Sequence, residues 1–69
     1  MSDHVYSVSH LYGSSEDSIE DAIENAIETA GKSLRNLDWF EVTEIRGHLK
    51  DGKVGHYQVG IKLGFRYEG

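Results

Sequence analysis

Two long alternating segments joined by a two-residue turn constrain the fold of this chain most. Residues 39–49 and 54–67 repeat their apolar side chains at a spacing of two, which is typical of β-strands. Between them stands Lys50-Asp51-Gly52-Lys53, and Asp-Gly favours the type I′ turn of a two-residue β-hairpin. The segments are therefore predicted to be antiparallel neighbours, with Phe40 opposite Leu63, Val42 opposite Ile61 and Glu41 opposite Lys62.

This register assigns each side chain of the hairpin to one of two faces. One face is predicted to meet a helix and carries Phe40, Val42, Tyr57, Val59, Ile61, Leu63, Phe65 and Tyr67. The other face is predicted to carry Trp39, Glu41, Thr43, Ile45, Gln58, Gly60, Lys62 and Gly64. A β-bulge near Arg46-Gly47 would change the facing of individual residues.

The first half of the chain predicts a strand and a helix. Residues 4–12 indicate a strand that ends in a turn at Gly13-Ser14-Ser15. Ser18 with Asp21 three residues later is a variant of the capping box, and apolar residues at spacings of three and four then continue from Ile19 to Leu34. Lys32 and Arg35 near the end of this run suit the negative end of the helix dipole. The expected subunit is β-α-β-β, an α+β fold with a three-stranded antiparallel sheet around one helix.

The length of the chain predicts a single domain over residues 1–69 that assembles with other copies. At 69 residues one core rarely supplies more than about 3–5 kcal/mol, and without cysteine neither a disulfide nor a Cys-based zinc site can reinforce it. A three-stranded sheet with one helix also leaves its second face uncovered. Other subunits are the obvious cover.

Charge and motif content exclude several classes of function. A net charge of −5 repels nucleic acid and anionic membrane surfaces, so neither is an expected partner. The sequence has no membrane-spanning run and no signal segment, which favours the cytoplasm. We find no nucleophile paired with a base and no phosphate-binding loop, so we do not expect an enzyme.

Trp39 is the first candidate binding residue, because the predicted register leaves its large apolar ring exposed in a monomer. Either a plain subunit interface or a flat aromatic ligand would bury it. Gly60 and Gly64 allow a planar group to approach the same face, and the Gln58 amide suits the edge of a flavin or purine. Arg46 could stack on a ring or pair with a phosphate.

Distance and the histidines refine this picture. Trp39 and Ile45, the predicted partner of Gln58, lie about 20 Å apart along one strand, so one ligand that touches Trp39 and Gln58 needs two subunits. His48 and His56 are predicted at adjacent ladder positions on opposite faces, which argues against a metal site within one subunit.

With these residues in view, the chain resembles the dodecins over nearly its whole length. The resemblance lies in residues 37–42 (Leu-Asp-Trp-Phe-Glu-Val), 44–47 (Glu-Ile-Arg-Gly), 56–59 (His-Tyr-Gln-Val) and 64–66 (Gly-Phe-Arg), together with Asp51-Gly52. It implies a hollow homododecamer that stores and sequesters flavin. Pairs of flavins would stack between symmetry-related copies of Trp39, with photoprotective quenching, Gln58 on the isoalloxazine edge, and Arg46 and Asp38 as further contacts.

The resemblance to bacterial members implies FMN as the ligand, with riboflavin or FAD as alternatives. Some bacterial dodecins also bind coenzyme A through basic residues. Ser7 and Thr29 stand at two of those positions without a positive charge, so the resemblance supports coenzyme A binding only weakly, through Arg35 and Arg66. A different class of function also stays open, namely a ligand-free or cation-binding oligomeric scaffold with the same assembly.

Overall fold

The computed structural model describes residues 4–67 and has four elements in β-α-β-β order. Strand β1 spans Tyr6–Ser15, helix α1 Ile19–Ala30, strand β2 Leu37–Lys50 and strand β3 Lys53–Arg66. All strand pairs are antiparallel and β3 lies in the middle, in the order β1-β3-β2. The predicted fold class is confirmed.

The hairpin turn has the predicted conformation. Asp51 and Gly52 both have positive φ angles, of 53° and 76°, as a type I′ turn requires. The three predicted pairs are present, because Phe40 lies opposite Leu63, Glu41 opposite Lys62 and Val42 opposite Ile61.

Two irregularities shift the middle of the hairpin away from the predicted register. Thr43 is an extra residue of β2 between Val42 and Glu44, and Gly55 is an extra residue of β3 opposite the step from His48 to Leu49. They compensate each other, so the pairs on either side of them agree with the prediction. The pairs from residue 44 to residue 48 differ from it by one residue.

The shift corrects two sequence-based assignments. Ile45 was expected beside Gln58, but it lies opposite Val59 on the face that carries the core residues of β3. Gln58 instead lies opposite Arg46. A bulge exchanges the two faces of a strand because side chains alternate along it, and this one lies at Thr43 rather than at the expected Arg46-Gly47.

The predicted turn at residues 13–15 was wrong, because β1 continues to Ser15. Gly13 is buried against α1, and a Cβ there would overlap the backbone of Ala22. The absent side chain therefore serves close helix–strand packing. The chain turns after Ser15, whose hydroxyl accepts a hydrogen bond from the Asp17 backbone N–H and donates one to the Asp21 carboxylate.

Helix α1 begins as predicted and ends early. Ser18 is the N-cap, and its hydroxyl accepts the Asp21 backbone N–H at 3.0 Å. The helix ends at Ala30 instead of continuing to Leu34, and Gly31 is the C-cap. Lys32 and Arg35 therefore lie beyond the last helical turn, which contains no basic residue, so the dipole argument for them was wrong.

The core lies between α1 and the middle of the sheet. Three alanines of the helix pack against Val59, Ile61 and Leu63 of β3, and all six residues are buried. The helix packs on β1 and β3 and leaves most of β2 uncovered, in a subunit that measures 56 × 20 × 14 Å. The one helix within residues 4–67 is too short to cross a membrane.

Candidate functional site

The candidate site residues lie on the side of the sheet that faces away from α1, which we call the open face. Alternation along the observed register places on it Tyr6, Val8, His10, Tyr12 and Ser14 of β1, Trp39, Glu41, Glu44, Arg46 and His48 of β2, and His56, Gln58, Gly60, Lys62, Gly64 and Arg66 of β3. Trp39, Arg46 and Gln58 therefore share one face, as the sequence predicted for Trp39 and Gln58.

Trp39 lies across the middle strand at Gly64. A Cβ on Gly64 would overlap the indole ring, so the ring occupies the space that the missing side chain leaves. Tyr6 of β1 contacts the indole from the far side in an edge-on arrangement, with ring centroids 6.5 Å apart. Trp39 is still 39% exposed, so its position is fixed while a substantial part of its surface stays open.

Gly60 has the same effect four residues before Gly64 on β3. Tyr12 and Glu44 come from the two outer strands, and the Tyr12 hydroxyl donates a hydrogen bond to the Glu44 carboxylate across Gly60. This bond, with smaller contributions from desolvation and the charge of Glu44, raises the pKa of Tyr12. Both glycines were expected to admit a ligand or another backbone. In the subunit they admit its own aromatic side chains.

Arg46 and Gln58 are directly opposite each other on β2 and β3. Arg46 is exposed and Gln58 is half-buried. Arg46 also lies near the Tyr12–Glu44 pair, since its charge and a hydrogen bond from it act to lower the pKa of Tyr12. Arg46 is seven residues from Trp39 along β2, or about 20 Å, so one subunit separates the indole from the amide as the sequence predicted.

Asp38 lies at an irregularity between Leu37 and Trp39 where β2 has one residue outside the ladder. Its carboxylate interacts with the Tyr6 hydroxyl, and this hydrogen bond is the largest cause of a raised pKa of Tyr6. Tyr6 therefore contacts the two neighbouring residues Asp38 and Trp39 and joins them into one small cluster at the start of β2.

The recess that reaches Trp39 lies on the helix side of the sheet, because Ile27 of α1 lines it together with the helix-facing Phe40 and Leu63. Leu37, Asp38 and Trp39 complete its lining, and its volume is about 160 Å³. Small-molecule pockets usually measure roughly 300–1,000 Å³. A larger recess of about 400 Å³ lies towards the hairpin end, among mostly apolar residues such as Ile45, Leu49 and Val54. The small recess at Trp39 therefore does not enclose the open-face side of the indole, and a flavin pocket there needs additional walls.

Arg35 and Arg66, the candidate coenzyme A contacts, are both exposed. The Arg66 backbone N–H donates to the Asn36 carbonyl at 3.1 Å, so the segment that contains Arg35 lies beside the end of β3. Arg66 lies opposite Tyr6 in the ladder of β1 and β3. Its charge lowers the pKa of Tyr6, whereas Asp38 raises it.

The prediction that His48 and His56 point to opposite faces was wrong. The one-residue shift of register between Gly55 and Thr43 makes the two histidines direct partners. Their rings stack with centroids 4.6 Å apart and an interplanar angle of 19°.

The comparison that decides the family is a match to the protein-family model described as Dodecin, and the match covers residues 5–68. The chain belongs to the dodecin family. A curated dodecin of Thermus thermophilus is 50% identical over 64 residues, which is 93% of each of the two chains.

Solved dodecin structures have the same subunit fold. The structure of dodecin from Streptomyces coelicolor matches with a TM-score of 0.95 and 52% identity, over 100% of this chain and 99% of the other. Dodecin from Streptomyces davaonensis matches with a TM-score of 0.93 and 47% identity, over 99% and 100%. Membership of the dodecin family supports a flavin-binding oligomer in general, and the family is not one of enzymes.

Sequence reasoning missed Tyr6, Tyr12 and Glu44 as neighbours of the candidate dodecin site. A signal for them was present, since each glycine of β3 on the open face lies between larger residues on both outer strands. Using it required the register of β1 against β3, which no turn in the sequence defines.

Proposed function

We propose that this dodecin binds FMN non-covalently in a homododecamer and serves to store and sequester it. The observation that carries the proposal is the partly exposed indole of Trp39, held over Gly64 and beside Tyr6. A ring in a fixed orientation offers a stacking surface at a small entropic cost. Family membership supports flavin as the ligand class.

The flavin site belongs to the assembly in this proposal. The recess at Trp39 is smaller than a usual ligand pocket and lies on the helix side of the sheet, whereas Arg46 and Gln58 lie on the open face about 20 Å from Trp39. A second copy can bring its own Arg46 and Gln58 to the Trp39 of the first. Each flavin then stacks on indole from one subunit and meets polar groups from another.

Each side chain has a distinct role in binding. Stacking on Trp39 supplies most of the affinity, because aromatic pairs gain stabilisation beyond the area that they bury. The Gln58 amide pairs with the donor and acceptor edge of the isoalloxazine. Arg46, with its planar fork, contacts the ring or the phosphate of FMN, and Asp38, the neighbour of Trp39 in the chain, is a further contact.

Quenching of the bound flavin would give the protein a photoprotective role. An indole in van der Waals contact with an excited flavin can return it to the ground state without reaction. Binding would therefore abolish flavin fluorescence, which offers a direct readout.

The experiment is a titration of FMN with wild type, Trp39→Ala and Tyr67→Ala, followed by flavin fluorescence. Tyr67 is the control because it is an exposed aromatic residue just beyond β3. We expect wild type and Tyr67→Ala to quench FMN equally. Trp39→Ala should bind at least tenfold more weakly, a change of about 1.4 kcal/mol or more. Unchanged affinity and quenching in Trp39→Ala would contradict the proposal.

The alternative class is an oligomeric scaffold that binds no flavin. It predicts a colourless protein whose addition leaves the absorbance spectrum of FMN unchanged. Mass analysis of the ligand released from the purified assembly would also distinguish FMN from riboflavin and FAD. Coenzyme A is left out of the proposal, because Ser7 and Thr29 supply no positive charge beside Arg35 and Arg66.

A further inference from the structure

The stacked histidine pair on the open face is separate from the aromatic cluster at the other end of β2. His48 and His56 are direct cross-strand partners near the hairpin turn, whereas Trp39 lies near the start of the same strand. His48 is exposed and His56 is half-buried, so solvent reaches the pair. Their centroid separation of 4.6 Å and angle of 19° hold two imidazoles side by side.

We propose that His48 and His56 form a binding site for a divalent transition metal such as Zn²⁺. Zn–N bonds of about 2.0–2.1 Å at a tetrahedral angle place two ligand nitrogens roughly 3.3 Å apart. A shared metal must lie in the plane of both rings, because the lone pair of an imidazole nitrogen lies in the ring plane, so the nearly parallel rings must turn out of their stack to bind it. Rotation of both side chains provides this, because the torsion about the bond between Cβ and the ring is broad in histidine.

The strands orient both ligands in advance. A cross-strand pair is fixed by the ladder on each side of it, and here Gly47 lies opposite Tyr57 while Leu49 lies opposite Val54. The extra residue Gly55 between Val54 and His56 is what brings His56 level with His48. Chelation by two imidazoles whose backbones are already held side by side is stronger than binding by one, because less conformational entropy is lost when the metal binds.

The imidazole ligands, and not the charges around the pair, select the kind of ion. Arg46 and Lys50 both lie two residues from His48 along β2, so this part of the surface carries positive side chains. Hard cations such as Mg²⁺ prefer oxygen ligands and gain nothing here. Imidazole suits zinc, copper and nickel, which bind it through coordinate bonds despite the neighbouring positive charge.

Two histidines fill only part of the coordination sphere of the metal. Glu16 lines the same surface recess as His56, but within residues 4–67 no third His, Asp or Glu completes a ligand cluster. Water would therefore occupy the remaining positions of a metal bound to the pair. The site resembles an exchangeable metal site more than a closed structural one, which uses four protein ligands.

The test is equilibrium dialysis of the assembled, flavin-free protein against Zn²⁺. The variants are His48→Gln and His56→Gln, and the controls are His10→Gln and His4→Gln. His10 is a matched control because it is an exposed histidine of the open face that contacts Thr43 instead of a second imidazole. Circular dichroism and the mass of the assembly establish that each variant folds and assembles.

We expect wild type and both control variants to bind one Zn²⁺ per chain with equal affinity. Each variant of the pair should bind it at least tenfold more weakly, and excess Mg²⁺ should not compete. Equal Zn²⁺ binding by wild type and the pair variants would overturn the proposal, as would a loss confined to the His4 or His10 variant. The outcome does not depend on flavin binding, because no flavin is present.

Discussion

Two residues without side chains determine how the open face is built. Gly60 and Gly64 of the middle strand let side chains of the outer strands meet above it, as Tyr12 meets Glu44 and Tyr6 meets Trp39. The sequence identified the face, the exposed tryptophan and the glycines. It could not identify what fills the space above each glycine, because that depends on both neighbouring registers at once.

The substitution Gly64→Ala tests the contact with Trp39. The new Cβ would overlap the indole ring, so the ring must leave its position. We expect a loss of stability of about 1–3 kcal/mol, as for other overpacked sites, together with a change in the fluorescence of Trp39, the lone tryptophan.

Gly55→Ala is the matched control on the same strand. A Cβ there meets its nearest neighbours at 3.4 and 3.5 Å, which is ordinary contact. Urea denaturation monitored by tryptophan fluorescence compares the two variants. If Gly64→Ala were as stable as Gly55→Ala and had an unchanged emission spectrum, the proposed position of the indole would be wrong.

At the scale of elements, strand register was predicted correctly near the turn and near Trp39 but not between them. Asp51-Gly52 fixes the first pairs, and the compensating extra residues Thr43 and Gly55 restore the register further along. Each irregularity interrupts the alternation, because the apolar residues on its two sides stand three apart, Val42 and Ile45 in β2 and Val54 and Tyr57 in β3. The direct pairing of His48 with His56 was missed because the predicted register continued from the turn without these two steps.

The bounds of the helix were predictable at one end only. Its start carries a capping hydroxyl with a specific hydrogen bond, whereas the apolar periodicity continues past its end to Leu34, which packs on the core from outside the helix. Gly31 was the signal for the end, since glycine commonly follows the last helical residue.

Ser18→Ala tests the start of the helix. The hydroxyl satisfies the Asp21 backbone N–H at 3.0 Å, and the loss of an N-cap side chain costs about 1 kcal/mol. Thermal unfolding followed by circular dichroism should show a lower midpoint for Ser18→Ala than for wild type. Ser33→Ala, in the exposed turn after α1, is the control. Equal midpoints for the two variants would contradict the assigned cap.

At the scale of the whole molecule, the subunit leaves apolar surface uncovered on the helix side of the sheet. Phe40, Ile45 and Leu49 of β2 are 50%, 57% and 75% exposed, because α1 covers β1 and β3 instead. Such a row is typical of an interface. The sequence predicted the need for other copies from the open face, and the position of the helix adds this second surface.

Ile45→Lys tests the role of that row in assembly. A buried lysine without a partner strongly destabilises an interface, so we expect the oligomer to dissociate into smaller species. Glu24→Lys, on the exposed side of α1, introduces the same residue elsewhere and should leave assembly intact. Light scattering coupled to size-exclusion chromatography measures both masses. An unchanged mass for Ile45→Lys would show that the row does not contribute to assembly.

The central claim is that the flavin site exists only in the assembly. Analytical ultracentrifugation that detects FMN absorbance tests it most directly, with wild type compared with a dissociated but folded Ile45→Lys protein. We predict that FMN sediments with the wild-type assembly at about one flavin per chain and stays free in the presence of dissociated chains. Equal binding of FMN by the dissociated chains, or no co-sedimentation with the wild-type assembly, would contradict the account.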